Sequence, residues 1–183
     1  VVLITINYRL GPFGFLAHPL LAGESNHGSA GNYGILDKIA ALQWIRSNAE
    51  AFGGDPPHVT IFGQSAGSQS VCAVMSSPLA RALFPKAIGQ SAACVYTIPT
   101  QDMDGYERGT KLVNAHEANT LGALREASPK SILAASEFTQ WADESRITVD
   151  GWVLRELPAN TFRAGRQAPV PLLLGFLADE GVE

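Results

Sequence analysis

Hydrophobic and polar positions along the chain change period several times, and each change marks an element. Val1-Val2-Leu3-Ile4-Thr5-Ile6 is an apolar, largely β-branched run closed by Gly11-Pro12 and Gly14, which predicts a buried strand over 1–7 of the kind parallel sheets use. After the glycine-rich stretch Gly28 to Gly34, residues Ile35, Leu36, Ile39, Leu42 and Ile45 recur at three- and four-residue steps until Gly53-Gly54. That spacing predicts an amphipathic helix with a glycine stop. Asp55-Pro56-Pro57 reads as a turn and His58 to Phe62 as a short strand. The small-residue run Ala66 to Ser77 reads as a helix ended by Pro78. Lys86 to Gln90 predicts a further strand, 105–135 is mostly helical in period with Pro129 opening a new helix, and Val170 to Gly175 predicts a last buried strand. Strands alternating with helices imply an α/β fold, a mostly parallel sheet flanked by helices. No internal repeat, low-complexity tract or interior linker divides the chain.

Composition narrows the classes. In 183 residues, 46% are hydrophobic and 16% charged, with 13 basic against 17 acidic side chains for a net charge of −4. Disordered chains, collagen and modules with a basic nucleic-acid face are excluded on these numbers. No apolar run reaches the roughly 18 to 20 residues of a membrane span. The chain begins inside an apolar run without Met and stops just after a turn, so it is expected to be an internal part of one larger domain. Its localisation, cytoplasmic or secreted, and its oligomeric state stay open. Cys72 and Cys94 are two buried free thiols on the plainer reading or one bridge on the other, since their separation in space is not readable from sequence.

The chemistry concentrates in Gly63-Gln64-Ser65-Ala66-Gly67, which lies between a predicted strand and a predicted helix. That is the setting in which G-x-S-x-G forms a nucleophile elbow. The turn forces Ser65 into a strained backbone conformation, and Gly63 and Gly67 are expected to be glycines because a Cβ at either would collide with neighbouring chain. The helix N-terminus and the Ala66 N–H would then face an oxyanion formed beside Ser65. The alternative is a serine that only caps the helix. A nucleophilic serine needs a histidine to take its proton and an acid to orient that histidine, in the chain order Ser, acid, His. Glu180 in Ala178-Asp179-Glu180-Gly181 and Asp150 before Gly151 both qualify as the acid on position. His18, His27, His58 and His116 all precede Glu180 and read as ordinary surface or core histidines, so the base is expected beyond residue 183.

Several stretches match one family in order: Thr5-Ile6-Asn7-Tyr8-Arg9-Leu10-Gly11, Gly31-Asn32-Tyr33-Gly34-Ile35-Leu36-Asp37, Ala51-Phe52-Gly53-Gly54-Asp55-Pro56, the elbow, Leu83-Phe84-Pro85-Lys86-Ala87-Ile88, and Gly175 to Gly181. On these the chain resembles the type-B carboxylesterases, which include bacterial para-nitrobenzyl esterases and cholinesterases. The resemblance implies an α/β-hydrolase fold with Ser65 as nucleophile. It makes Glu180 rather than Asp150 the acid, and places the glycine-rich oxyanion loop upstream of Val1 and the histidine downstream of Glu183. Ser91, in Gln90-Ser91-Ala92, resembles the serine that hydrogen-bonds near the acid and histidine, with Ala92 where the family has glycine. Gln64 stands where many relatives carry Glu, which removes a negative charge that would favour cationic alcohol groups. Asn32, Tyr33 and Asp37 are expected to be scaffold.

The implied activity is hydrolysis of small-molecule carboxylic esters through an acyl-enzyme, with residues 1–183 alone inactive and no metal or organic cofactor required. A non-catalytic cholinesterase-like binding module and an amide or lactone hydrolase of the same fold are the alternatives. Asp102-Met103-Asp104-Gly105 lacks the third acidic position before the glycine and the later Glu of a calcium loop, and the glycines from Gly28 to Gly34 do not fit a dinucleotide fingerprint. Phe13, Phe15, Phe84, Trp141 and Trp152 fit a core or pocket walls equally well.

Overall fold

In a computed structural model of the chain, the described residues are 1–92, 94–95, 105–118, 120–139 and 147–180. Asp102, Met103, Asp104, Trp141 and Gly181 therefore lie outside them. The described helices are α1 (Gly11–Phe15), α2 (Pro19–Glu24), α3 (Tyr33–Asn48), α4 (Ala66–Ser76), α5 (Gly105–Ala115), α6 (Leu121–Glu126), α7 (Pro129–Phe138) and α8 (Pro158–Arg163). The strands are β1 (Thr60–Gln64), β2 (Lys86–Gln90) and β3 (Leu172–Gly175). The chain divides into two compact units, one built from Val1–Asn7, Ile35–Tyr96 and Glu156–Glu183, the other from Tyr8–Gly34 and Thr97–Arg155.

The first unit carries the sheet. Its strands run parallel in the order β1-β2-β3, with Gly63 beside Gly89 and Gln64 beside Gln90 on one side of β2 and Gln90 beside Gly175 on the other. Parallel neighbours need a crossover, and α4 provides it between β1 and β2. It packs on both strands, and α8 packs on α4. Val71, Cys72, Ala73, Val74 and Met75 of α4 are buried, and Gly89 lets the helix approach β2, since a Cβ there would stand 2.6 Å from the Ser68 Oγ and 2.7 Å from Leu174 Cδ2. On α3 the stripe predicted from the sequence is buried in part: Ile35, Ile39 and Leu42 are buried, whereas Leu36 and Ile45 are half-buried. Gly53 ends the following 3-10 turn at φ 75°, a left-handed conformation suited to glycine.

In the second unit, α5 and α1 both pack on α7. Asn32, 1% exposed, donates from Nδ2 to the Thr148 carbonyl at 2.7 Å and accepts from the Thr148 N–H at 3.2 Å. Its scaffold role is thereby accounted for. Phe15 and Phe84 are core residues, Phe13 is exposed, and Trp152 stacks on His27 with ring centroids 3.7 Å apart.

Three local expectations change. Residues 1–7 form no strand and are mostly exposed; a strand is defined by its hydrogen-bonded neighbour, and none pairs with them among the described residues. The strand expected over His58 to Phe62 begins at Thr60, because Pro56–His58 closes a 3-10 turn in which the His58 Nδ1 lies 2.7 Å from the Asp55 carboxylate. Finally, Cys72 and Cys94 are joined in a disulfide with their Cα atoms 5.2 Å apart, in place of two free thiols. Packing of α4 on β2 is what brings together two positions whose distance the sequence does not display.

Candidate active site

The elbow is built by a change of backbone direction at one residue. β1 ends at Gln64 and α4 begins at Ala66, leaving Ser65 alone to turn the chain, with φ 51° and ψ −117°. A non-glycine residue held in such a conformation is strained, and its neighbours must impose it. The Ser65 N–H donates to the Gln90 carbonyl at 2.8 Å, and the Ser65 carbonyl accepts from the Gln69 N–H at 3.0 Å as the first bond of α4. Both sides of the turn are thus fixed. Gly63 is required by close approach, because a Cβ there would meet the Gly67 backbone, its Cα at 2.8 Å. Gly67 differs from the expectation: a Cβ at that position meets nothing within 4 Å, because it is the main chain of Gly67 that crowds Gly63.

Ser65 occupies the N-cap position of α4 yet makes no side-chain cap hydrogen bond, so it does not spend its hydroxyl on the helix. It is exposed, as are Gln64 and Ala66. The first N–H groups of the 11-residue helix α4, Ala66 leading, lack intrahelical acceptors and carry the positive end of the helix dipole.

Ser91 follows β2, and Glu180 follows β3 after a short turn, so Ser65, Ser91 and Glu180 all stand beyond the carboxyl ends of three adjacent parallel strands. Open α/β sheets place their ligands there. The Ser91 hydroxyl donates to the Glu180 carboxylate, and this bond, followed by the Leu177 N–H, holds that carboxyl below the usual glutamate range. The Leu177 N–H to Glu180 Oε2 distance is 3.0 Å. Ser91 itself sits at φ 60°, and its N–H donates to the Gly175 carbonyl at 2.8 Å. Residues 90 and 91 therefore bridge the two ends of the site, Gln90 holding the Ser65 amide and Ser91 the Glu180 carboxylate. The role of the Gln90 carbonyl escapes residue-type reasoning because a backbone acceptor has no sequence signature.

Asp150 is occupied elsewhere. Its Oδ1 accepts from the N–H groups of Trp152 at 3.2 Å and Leu154 at 2.8 Å, so it organises a turn. Each of the four histidines has a local engagement. His18 Nδ1 caps α2, with burial lowering its pKa; His27 stacks on Trp152; His58 faces Asp55; and His116 Nε2 lies 2.9 Å from the Ser131 Oγ. Among the described residues no group of three or more His, Cys, Asp or Glu is placed to hold a metal ion, and no described helix is long and apolar enough to cross a membrane.

Comparison with known proteins gives the family and the fold. The model of the carboxylesterase family matches residues 1–183. A fumonisin B1 esterase from Sphingopyxis macrogoltabida is 40% identical over 99% of this chain and 34% of its own length. The para-nitrobenzyl esterase of Bacillus subtilis (strain 168) is 36% identical over 99% of this chain and 37% of its own. Among solved structures, a thermophilic para-nitrobenzyl esterase superposes with a TM-score of 0.81 at 35% identity, covering 96% of this chain and 37% of that one. The Geobacillus stearothermophilus carboxylesterase EST55 does so with a TM-score of 0.80 at 34% identity, covering 94% of this chain and 36% of that one. The chain thus spans about a third of the length of these relatives.

Proposed function

Because this chain belongs to the carboxylesterase family and has its α/β-hydrolase fold, we propose that the protein carrying it hydrolyses carboxylic esters through a covalent acyl-serine. Ser65 is the nucleophile. Its Oγ attacks the ester carbonyl carbon as a histidine takes its proton, and the tetrahedral oxyanion receives the Ala66 N–H at the positive end of α4. Collapse breaks the bond to the alkoxy oxygen, which leaves with the histidine's proton. Water then attacks the acyl-serine by the same steps in reverse, releasing the carboxylic acid and restoring the Ser65 hydroxyl.

Glu180 orients the histidine and stabilises its protonated form. Ser91 and the Leu177 N–H keep Glu180 ionised for that task. The histidine is supplied from outside residues 1–183, a reading supported by the local engagements of all four histidines within them. Residues 1–183 form part of a single hydrolase domain whose oxyanion loop precedes them and whose base follows them, and they are inactive alone.

The observation that carries this reading is Ser65 itself: exposed, uncapped and held at positive φ between a strand end and a helix N-terminus. The test is labelling of the intact protein with a fluorophosphonate probe, followed by peptide mapping. Modification of Ser65, with loss of ester turnover in parallel, is expected. Full ester turnover in a Ser65→Ala variant overturns the assignment.

A further inference from the structure

After β2 the chain is tied down at Gln90, Ser91, Ala92, Cys94 and Val95. Gln90 accepts the Ser65 N–H, and the Ser91 N–H donates to Gly175. The Ser68 Oγ of α4 donates to the Ala92 carbonyl at 2.9 Å. Cys94 is bonded to Cys72 of α4, and the Val95 carbonyl accepts from Arg163 Nη2 of α8 at 3.2 Å. Ser91, at the head of this segment, holds φ 60°. A serine keeps such a conformation only when its surroundings over-determine it.

The ties from α4 are specific in their placement. Cys72 and Ser68 lie four residues apart, on one face of the helix that begins at Ser65. Both are buried, Ser68 at 0% and Cys72 at 3% exposure, as is Cys94 at 3%. The same helix that starts at the nucleophile is thus fastened, covalently and by a hydrogen bond, to the segment whose first hydroxyl holds the acid.

We propose that the Cys72–Cys94 bridge, with the Ser68–Ala92 hydrogen bond, is a brace that positions Ser91 against Glu180 and so fixes the spacing between acid and nucleophile helix. This rests on the roles of Ser65 and Glu180 proposed above. Cys72, Cys94 and Ser68 are positioning residues: they act on turnover through Ser91, and substrate binding does not depend on them.

The test uses the intact protein. Alkylation after denaturation without reductant should leave Cys72 and Cys94 unmodified and joined in one peptide pair; alkylation of both overturns the brace. The Cys72→Ala/Cys94→Ala variant should lose about 10- to 100-fold in kcat with KM unchanged, the size of effect that misplacing a catalytic group produces. Ser91→Ala should lose a similar factor, and combining it with the cysteine pair should cost no more, because both remove one element. Losses that multiply, or an unchanged kcat in the folded variant, overturn the proposal. If the cysteine variant fails to fold, Ser68→Ala stands in its place, with the same non-additivity toward Ser91→Ala expected and additivity overturning the brace. A Ser65→Ala control separates the two levels. Retained turnover there sinks the nucleophile and the brace together, whereas abolished turnover with an unaffected cysteine variant sinks the brace alone.

Discussion

The Ser91 hydroxyl donates to the Glu180 carboxylate, joining the loop after β2 to the turn after β3. Register makes this possible: Gln90 pairs with Gly175, so the two chains leave the sheet side by side. A hydrogen bond to the charged form favours it, and the carboxyl accordingly sits below the usual glutamate range. Removing the Ser91 hydroxyl lets the Glu180 pKa rise toward its ordinary value. The carboxylate then gains its proton at a higher pH, and whatever depends on its charge is lost earlier on acidification. In Ser91→Ala the titration of the Glu180 carboxyl should therefore move to higher pH, toward the ordinary glutamate value. A carboxyl NMR titration of wild type and variant checks this, and an unmoved Glu180 midpoint contradicts it.

Ser65 at φ 51° pairs a functional demand with a cost in stability. Glycine reaches that conformation without steric penalty, whereas alanine keeps the offending Cβ. Ser65→Gly should therefore be more stable than Ser65→Ala by about 1 kcal/mol, the lower end of the strain expected for such a residue after glycine's extra chain entropy is set against it. Both variants should lose kcat by about 10⁶-fold, as removal of a triad serine does elsewhere. Thermal unfolding of the two side by side measures the difference; equal melting temperatures would show that the turn stores no strain.

What the sequence made legible follows from what each signal encodes. Local signals worked where one residue type decides the backbone. Lys86–Gln90 is a strand with the predicted bounds, α4 runs from Ala66 almost to Pro78, and Gly53 stops the helical run that began in α3. Features that depend on pairing were not legible. Residues 1–7 have the composition of a strand, but composition supplies no partner. The Cys72–Cys94 bridge arises from α4 packing on β2 and the Ser65–Gln90 bond from β1 pairing with β2, relations that no window along the chain contains. Glu180 was preferred to Asp150 only through family resemblance, since spacing left both open. The structure adds a reason in that Asp150 is committed to the backbone of Trp152 and Leu154.

Lys38 predicts an unusual pH dependence of stability. It lies on α3, 7% exposed, and burial pushes its pKa down to about 8 against a partial opposing effect of Asp37. The folded state therefore releases this proton before the unfolded state does. Between pH 8 and the model-peptide value of 10.5 the unfolded chain binds more protons, so stability rises with pH there. The rise attributable to Lys38 should be about 3 kcal/mol. Lys38→Met, of similar length and without charge, should remove that component, so the difference between wild type and variant shrinks steadily from pH 8 to 10.5. Urea unfolding of both proteins across that window measures it; a constant difference refutes the assignment.

Asn32, a polar residue of one of the matching motifs, serves the scaffold. Its amide reads both backbone groups of Thr148, donating at 2.7 Å and accepting at 3.2 Å, as a strand neighbour would. The chain reaches this spot only because Gly31 precedes it: at φ 106°, a Cβ on Gly31 would stand 2.7 Å from the Ala17 Cβ and 3.0 Å from the Thr148 Oγ1. Alanine at 32 would leave the Thr148 N–H and carbonyl buried without their partner, and an orphaned buried polar group costs about 1–3 kcal/mol. With two such groups, Asn32→Ala should destabilise the protein by about 2–4 kcal/mol. Asn32→Asp should fare no better, because it keeps the acceptor for the Thr148 N–H but sets a carboxylate oxygen against the Thr148 carbonyl. Gln at 32 offers the same groups one methylene too far along, so it should recover little. Urea midpoints of the three variants decide the point: a loss below about 1 kcal/mol in Asn32→Ala would mean that water replaces the amide and that the pair is dispensable.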